Sequence, residues 1–294
     1  MNKGDKDVVS VRGLWKGTLE QQINMELVEI ELLLFLHQDG NKVNGVFTGD
    51  LRNDNIPDYV KLGRKSESAT NVIGEIIGNR FIHFTAAHPD PDILSFGSVI
   101  LEIMPSGKLE GLTLSYSVAN EQLIFTIINL VHTQSNYIHE FEHFVDMSAI
   151  SKTPNVTFSA AGQWRGMAKQ QHVGNDFGLN LDLVMQLDLK QDDDKLSGTS
   201  TIQVSNADTT LEPEAYANTQ LQKVQFNGWL RNNRFLHLNY TNPDPDILQF
   251  GSSVFEVLNP SVHLSGMFLG FSPVSNKLVM GTAHLDKRLT FDQA

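Results

Sequence analysis

The segment HPDPDILSFGSVILEI, running from His88 to Ile103, returns in the same chain as NPDPDILQFGSSVFEV, from Asn242 to Val257. A match of that length within one chain marks an internal duplication. Reading outward, NRFIHF from Asn79 matches NRFLHL from Asn233, and GLWKGTLEQ from Gly13 matches GQWRGMAKQ from Gly162. Downstream, each copy reaches a turn and then a Leu-x-Gly step, at Leu109 to Gly111 and at Leu264 to Gly266. The 294 residues therefore divide into a first repeat over 1–132, a linker over 133–161 and a second repeat over 162–294. Each repeat is large enough to bury a core of its own.

Apolar and polar residues alternate within short runs bounded by Gly, Pro, Asn and Asp, which is the pattern of half-buried β-strands. The first repeat gives eight such runs: 11–21, 28–37, 42–51, 71–77, 80–86, 97–104, 108–117 and 122–132. The second gives 162–171, 178–190, 195–204, 223–230, 234–240, 251–258, 262–272 and 276–286. Asp39-Gly40-Asn41, Gly78-Asn79, Ser106-Gly107 and Asn232-Asn233 supply turn chemistry between them. The predicted fold class is all-β: two tandem eight-stranded antiparallel up-and-down barrels joined by a short helical linker. Closing the sheet removes its exposed edges, and a barrel of this size encloses side chains or one small ligand. In up-and-down order the two long connections of each repeat, 52–70 with 87–96 and 205–222 with 241–250, fall at one mouth. Long loops on a rigid strand frame are where recognition is expected.

Composition narrows the partners. Net charge is −12, and both halves are acidic. Long nucleic acids and anionic membranes call for a basic footprint that this chain lacks. With no cysteine, disulfides, thiolate metal sites and Cys nucleophiles are excluded. The N-terminal MNKGDKDVVSVRGLW has no apolar core of signal-peptide length, and no apolar run is long enough to span a bilayer. The expected location is cytoplasmic.

Candidate binding residues cluster around the repeated loop. Asp90 and Asp92, with Asp244 and Asp246, place carboxylates on Pro-stiffened loops at the expected mouth. They could receive a ligand's amine or hydroxyl groups; equally, Pro ends a strand and Asp closes Asx-type turns. Arg80 and His83, repeated as Arg234 and His237, precede that loop, and an inward Arg or His could meet an anion. Phe96 and Phe250 enter the next strand from the mouth and could line an apolar cavity. Along that strand Val99, Leu101 and Ile103 face one way, while Glu102 and Glu256 face the solvated other. Asp192-Asp193-Asp194 reads as a solvated hairpin turn.

Between the repeats, His139-Glu140-Phe141-Glu142-His143 has the spacing that puts two His on one helical face for zinc, with Glu140 as base. Zincins, the family this motif suggests, prefer uncharged residues where Glu142 stands, and no third ligand follows. Tyr137, Ile138, Phe141, Phe144 and Val145 have helical spacing, so the segment reads as an amphipathic strut and no metal or other cofactor is expected. A zinc hydrolase remains the second alternative.

Gly13-Leu14-Trp15 and Gly162-Gln163-Trp164 resemble the opening of lipocalin and avidin-type (calycin) barrels, in which the Trp plugs the floor. Lipocalins pair that Trp with a late-strand Arg. Arg288 could serve in the second repeat, whereas the first ends VHTQ and has none. A fainter resemblance, through Gly-x-Trp, Val43-Asn44-Gly45 and the late Leu-x-Gly step, is to the soluble cyclic-nucleotide-sensing barrels of bacterial antiphage effectors. It implies a nucleotide-like ligand and a role in sensing or sequestering it. The expected function is thus non-enzymatic small-molecule binding. The first alternative is a structural module with solid barrels that docks a protein partner or a second copy.

Overall fold

The structure, a computed structural model, describes residues 8–23, 26–51, 70–88, 94–117, 121–133, 156–172, 180–206, 222–258 and 262–288. All sixteen expected strands are present, with ends displaced by no more than two residues. The first eight are β1 (Gly13–Ile23), β2 (Glu26–Asp39), β3 (Lys42–Leu51), β4 (Thr70–Ile77), β5 (Phe81–Ala87), β6 (Phe96–Ile103), β7 (Lys108–Ser117) and β8 (Gln122–Thr133). The second eight are β9 (Gly162–His172), β10 (Asn180–Asp192), β11 (Lys195–Asn206), β12 (Gln222–Arg231), β13 (Phe235–Thr241), β14 (Phe250–Leu258), β15 (His263–Ser272) and β16 (Lys277–Lys287).

Each set forms a closed barrel in which neighbours in sequence are neighbours in space. Closure comes from β1 on β8, with Trp15 opposite His132, and from β9 on β16, with Trp164 opposite Lys287. The chain divides into two compact units, Met1–Ile150 and Ser151–Ala294. Turn residues behave as expected: Gly78 with Asn79, and Asn232 with Asn233, all take positive φ, which suits tight hairpins between right-twisted strands. Among the described residues there is no helix long and apolar enough to cross a membrane.

Alternation sorts the strands into inward and outward rows. Leu32, Leu34 and Leu36 on β2, Ile82 and Phe84 on β5, and Val99 and Leu101 on β6 fill the first barrel. Leu183, Met185, Leu187 and Leu189 on β10, with Leu236, Leu238 and Phe255, do so in the second. Each such side chain contributes about 1.5–3 kcal/mol of burial free energy.

Both floors are built by a device that the strand pattern does not show. The segment before β1 crosses the barrel end, where Gln38 accepts a hydrogen bond from Val11 N (2.8 Å) and donates to Val9 O and Gly40 O. In the second barrel Gln191 accepts from Ala160 N (2.6 Å) and donates to Phe158 O and Asp193 O. Trp15 Nε1 donates to Val11 O and Trp164 Nε1 to Ala160 O, each at 2.8 Å, so both buried indoles have their polar group satisfied. Residues 156–161, assigned from sequence to the linker, therefore belong to the second floor. The helical strut and the His139, Glu140 and His143 cluster lie outside the described residues.

Three local expectations need correction. The cation over Trp164 is Lys287, 5.3 Å from the ring, rather than Arg288. In the first barrel, which has no such Arg, His132 stands edge-on to Trp15 at 5.0 Å. In both cases the partner is the residue directly across the strand pair, which shares the Trp's face, whereas Arg288 is one residue out of step. Asp194 is buried rather than solvated, and its charge favours the half-buried Arg231 guanidinium, which desolvation lowers to about 10. Finally, Glu102 and Glu256 face outward, yet they bind Arg80 and Arg234 instead of standing free in solvent.

Candidate ligand-binding cavity

The second barrel contains a cavity of ≈ 60 Å³, counted as room for the centres of water-sized molecules. A single water needs about 10–15 Å³ on that measure, so the space holds several. Its walls come from the ends of β9, β11, β13 and β15 and the starts of β10, β12, β14 and β16. It therefore lies toward the end where the long connections leave.

The lining is mostly Leu, Val, Ile, Met and Phe, with Gln170, Gln222, Gln249, Ser200, Ser253, Ser272 and Tyr240 as its polar members; none of these side chains is charged. Tyr240 lies across β14 and β15. A Cβ on Gly251 or Gly270 would fall 2.4 or 2.0 Å from its hydroxyl, so these glycines make the room it occupies. Its hydroxyl donates to Leu269 O at 3.2 Å, and burial raises its pKa, which keeps it neutral. Gln249 Nε2 donates to Gln222 Oε1 at 2.8 Å, and Asn242 Nδ2 donates to Gln249 Oε1 at 2.7 Å. Asn242 Oδ1 in turn receives Asp244 N, and Asp244 Oδ1 receives Asp246 N. The second Pro-Asp-Pro-Asp loop is thus a ladder of Asx turns, tied through Asn242 to the glutamine pair of the cavity.

The expected site residues are distributed differently. Asp244 and Asp246 are exposed on that loop at the open end, while Asp90 and Asp92 lie outside the described residues. Arg80 bonds Glu102 at 2.8 Å and covers Phe81, its Cζ 4.7 Å from the ring centre. Arg234 repeats this with Glu256 at 2.7 Å and Phe235 at 4.9 Å. Arg80 and Arg234 sit in the turns before β5 and β13, near the closed end, and reach Glu102 and Glu256 on outward rows. His83 and His237 also lie on outward rows, opposite in parity to Ile82 and Leu236, and both are buried. Burial lowers His83 to a pKa of about 4, so it is neutral at physiological pH. Phe96 and Phe250 are buried and stack on Tyr116 and Phe271, each pair at 6.0 Å between ring centres. Of the five expected in the second repeat, Arg234, His237, Asp244, Asp246 and Phe250, none lines this cavity.

Ser200, Tyr240 and Ser253 went unnoticed because they differ between the repeats, whereas Gln170 and Ser272 match Gln21 and Ser117 of the first copy. Aligned on Gly45 and Gly198, Phe47 becomes Ser200; aligned on the following strands, Ala86 becomes Tyr240 and Val99 becomes Ser253. Comparing the inward rows of the two copies would have exposed them. Among the described residues no three His, Asp or Glu side chains gather into a metal site.

No family model matches this chain, and no curated protein matches it. Among solved structures, a protein of unknown function from the DUF3598 family, from Nostoc punctiforme, is similar at 11% sequence identity over 95% of this chain and 96% of that chain, with a TM-score of 0.30. A likeness of that degree carries no argument. The fold assignment rests on the two closed sheets, and the calycin comparison on the Gly-x-Trp floor alone.

Proposed function

We propose that this chain is a non-enzymatic small-molecule-binding protein, a sensor or a sequestering module, whose ligand enters the second barrel from its open end. The observation that carries this reading is the cavity itself: concave, mostly apolar, framed by rigid strands, with a few fixed polar groups. A barrel built only as a scaffold would fill that space with side chains, as close packing favours. A nucleotide-like ligand brings phosphate, which binds best to Arg or Lys. The described lining offers neither. The ligand we infer is therefore an organic molecule without strong negative charge.

Native mass spectrometry of the full chain, purified mildly from producing cells, tests the reading. We expect an added organic mass on a fraction of chains, released by organic solvent. A bare chain mass, together with no uptake from an extract of hydrophobic metabolites, would overturn it in favour of a packed interaction module.

A further inference from the structure

We propose that the two lumens have diverged, and that the second barrel takes an uncharged apolar molecule whose one hydrogen-bonding group is received by Ser200. This rests on the binding reading above and narrows it to a class of ligand and a residue. Strand register puts Ser200 at the position held in the first barrel by Phe47, which packs against that barrel's core. A hydroxymethyl group in place of a benzyl group leaves space and adds a donor and acceptor at the wall. Ser200 is only 3% exposed, lines the cavity, and its Oγ makes no hydrogen bond among the described residues. Buried hydroxyls are nearly always paired, so an unpaired one in a cavity wall points to a partner from outside the chain.

Three of the other polar lining side chains bond within the wall. Gln222 and Gln249 bond each other, and Tyr240 donates to Leu269 O. On another wall Ser253 stands where the first barrel has Val99. Among the described residues no charged side chain lines the space. In sequence, the connections 173–179, 207–221, 242–249 and 273–276, which join the strand ends at this mouth, contain no Lys, Arg or His. An anionic group entering here would give up its hydration with no cation to replace it.

Fluorescence titration of the full-length protein with Nile red, an uncharged apolar dye, and 8-anilinonaphthalene-1-sulfonate, an anionic one, tests this. Nile red is expected to saturate at one site per chain, and the sulfonate dye to bind at least tenfold more weakly. Ser200→Phe, which installs the first copy's residue, is expected to weaken Nile red binding tenfold or more without lowering the melting temperature. Ser200→Ala should weaken it a few-fold. Should the phenyl ring prevent folding, Ser253→Val makes the same comparison from the other wall, with a few-fold loss expected. Unchanged Nile red binding in the folded wall variants would overturn the Ser200 assignment and leave the binding reading standing. Equal affinity for the sulfonate dye, lost in the same variants, would overturn the uncharged class. Absence of saturable binding of either dye to the folded wild type would remove the binding reading and the inference together.

Discussion

Gln38 and Gln191 each hold three backbone groups with one side-chain amide, tying the segment that crosses the floor to the hairpin beside it. Replacing Gln191 with Ala removes all three bonds and leaves Ala160 N, inside the closed end, without a partner. We expect a loss of about 1–3 kcal/mol, read from urea midpoints, with a red-shifted emission as water reaches Trp164. An unchanged midpoint would show that the floor is held by the indole alone. His83 makes a second prediction at this scale. Its folded pKa of about 4 lies below its ordinary 6.5, so the unfolded chain binds the extra proton between those values. Its contribution is complete above pH 6.5 and is lost as pH falls toward 4, about 3 kcal/mol in all by linkage. Urea midpoints measured from pH 7 down to pH 4.5 should fall more steeply for the wild type than for His83→Gln; parallel curves would assign the acid sensitivity to other groups. Of these residues the sequence displayed the Trp pair and the His pair. It did not display the glutamines, because a side chain bonded to backbone leaves no periodic trace.

At the scale of the element, the strands were legible almost to their ends, since alternation and turn residues are local signals. The Leu-x-Gly step acquires its meaning only from pairing. Gly111 and Gly266 are inward positions at which a Cβ would come within 1.9 Å of Ile100 O and 2.2 Å of Val254 O, so the strongly coiled β6–β7 and β14–β15 pairs meet backbone to backbone there. Gly111→Ala and Gly266→Ala should each cost about 2 kcal/mol or more, because the neighbouring atom is main chain and cannot swing aside. Thermal melts of the two variants decide this, and wild-type melting temperatures would mean that the strand pairs open without penalty. The repeated Arg was visible in sequence as a candidate for the lumen; its actual place beside Glu102 and Glu256 depends on which row faces in. A strand whose two faces are both mixed, as in Arg80 to Thr85, does not reveal that.

For the whole molecule, a charge of −12 spread over both halves makes polyanions poor partners. No binding to duplex DNA or to anionic vesicles is expected at physiological salt, by mobility shift and by co-sedimentation; a salt-sensitive complex with either would contradict this. The sequence by itself determined the duplication, the sixteen strands, the closed up-and-down order and the end from which the long connections leave. Those follow from period, turn chemistry and loop length, all properties of residues near one another in the chain. Only the tertiary structure decided which side chains meet in each lumen, and hence that Ser200, Ser253 and Tyr240 line a cavity while Arg234, His237 and Phe250 turn away from it. The reason is physical: whether a barrel interior is filled or hollow depends on the summed volume of side chains from eight strands meeting across the axis, and no stretch of sequence contains that sum.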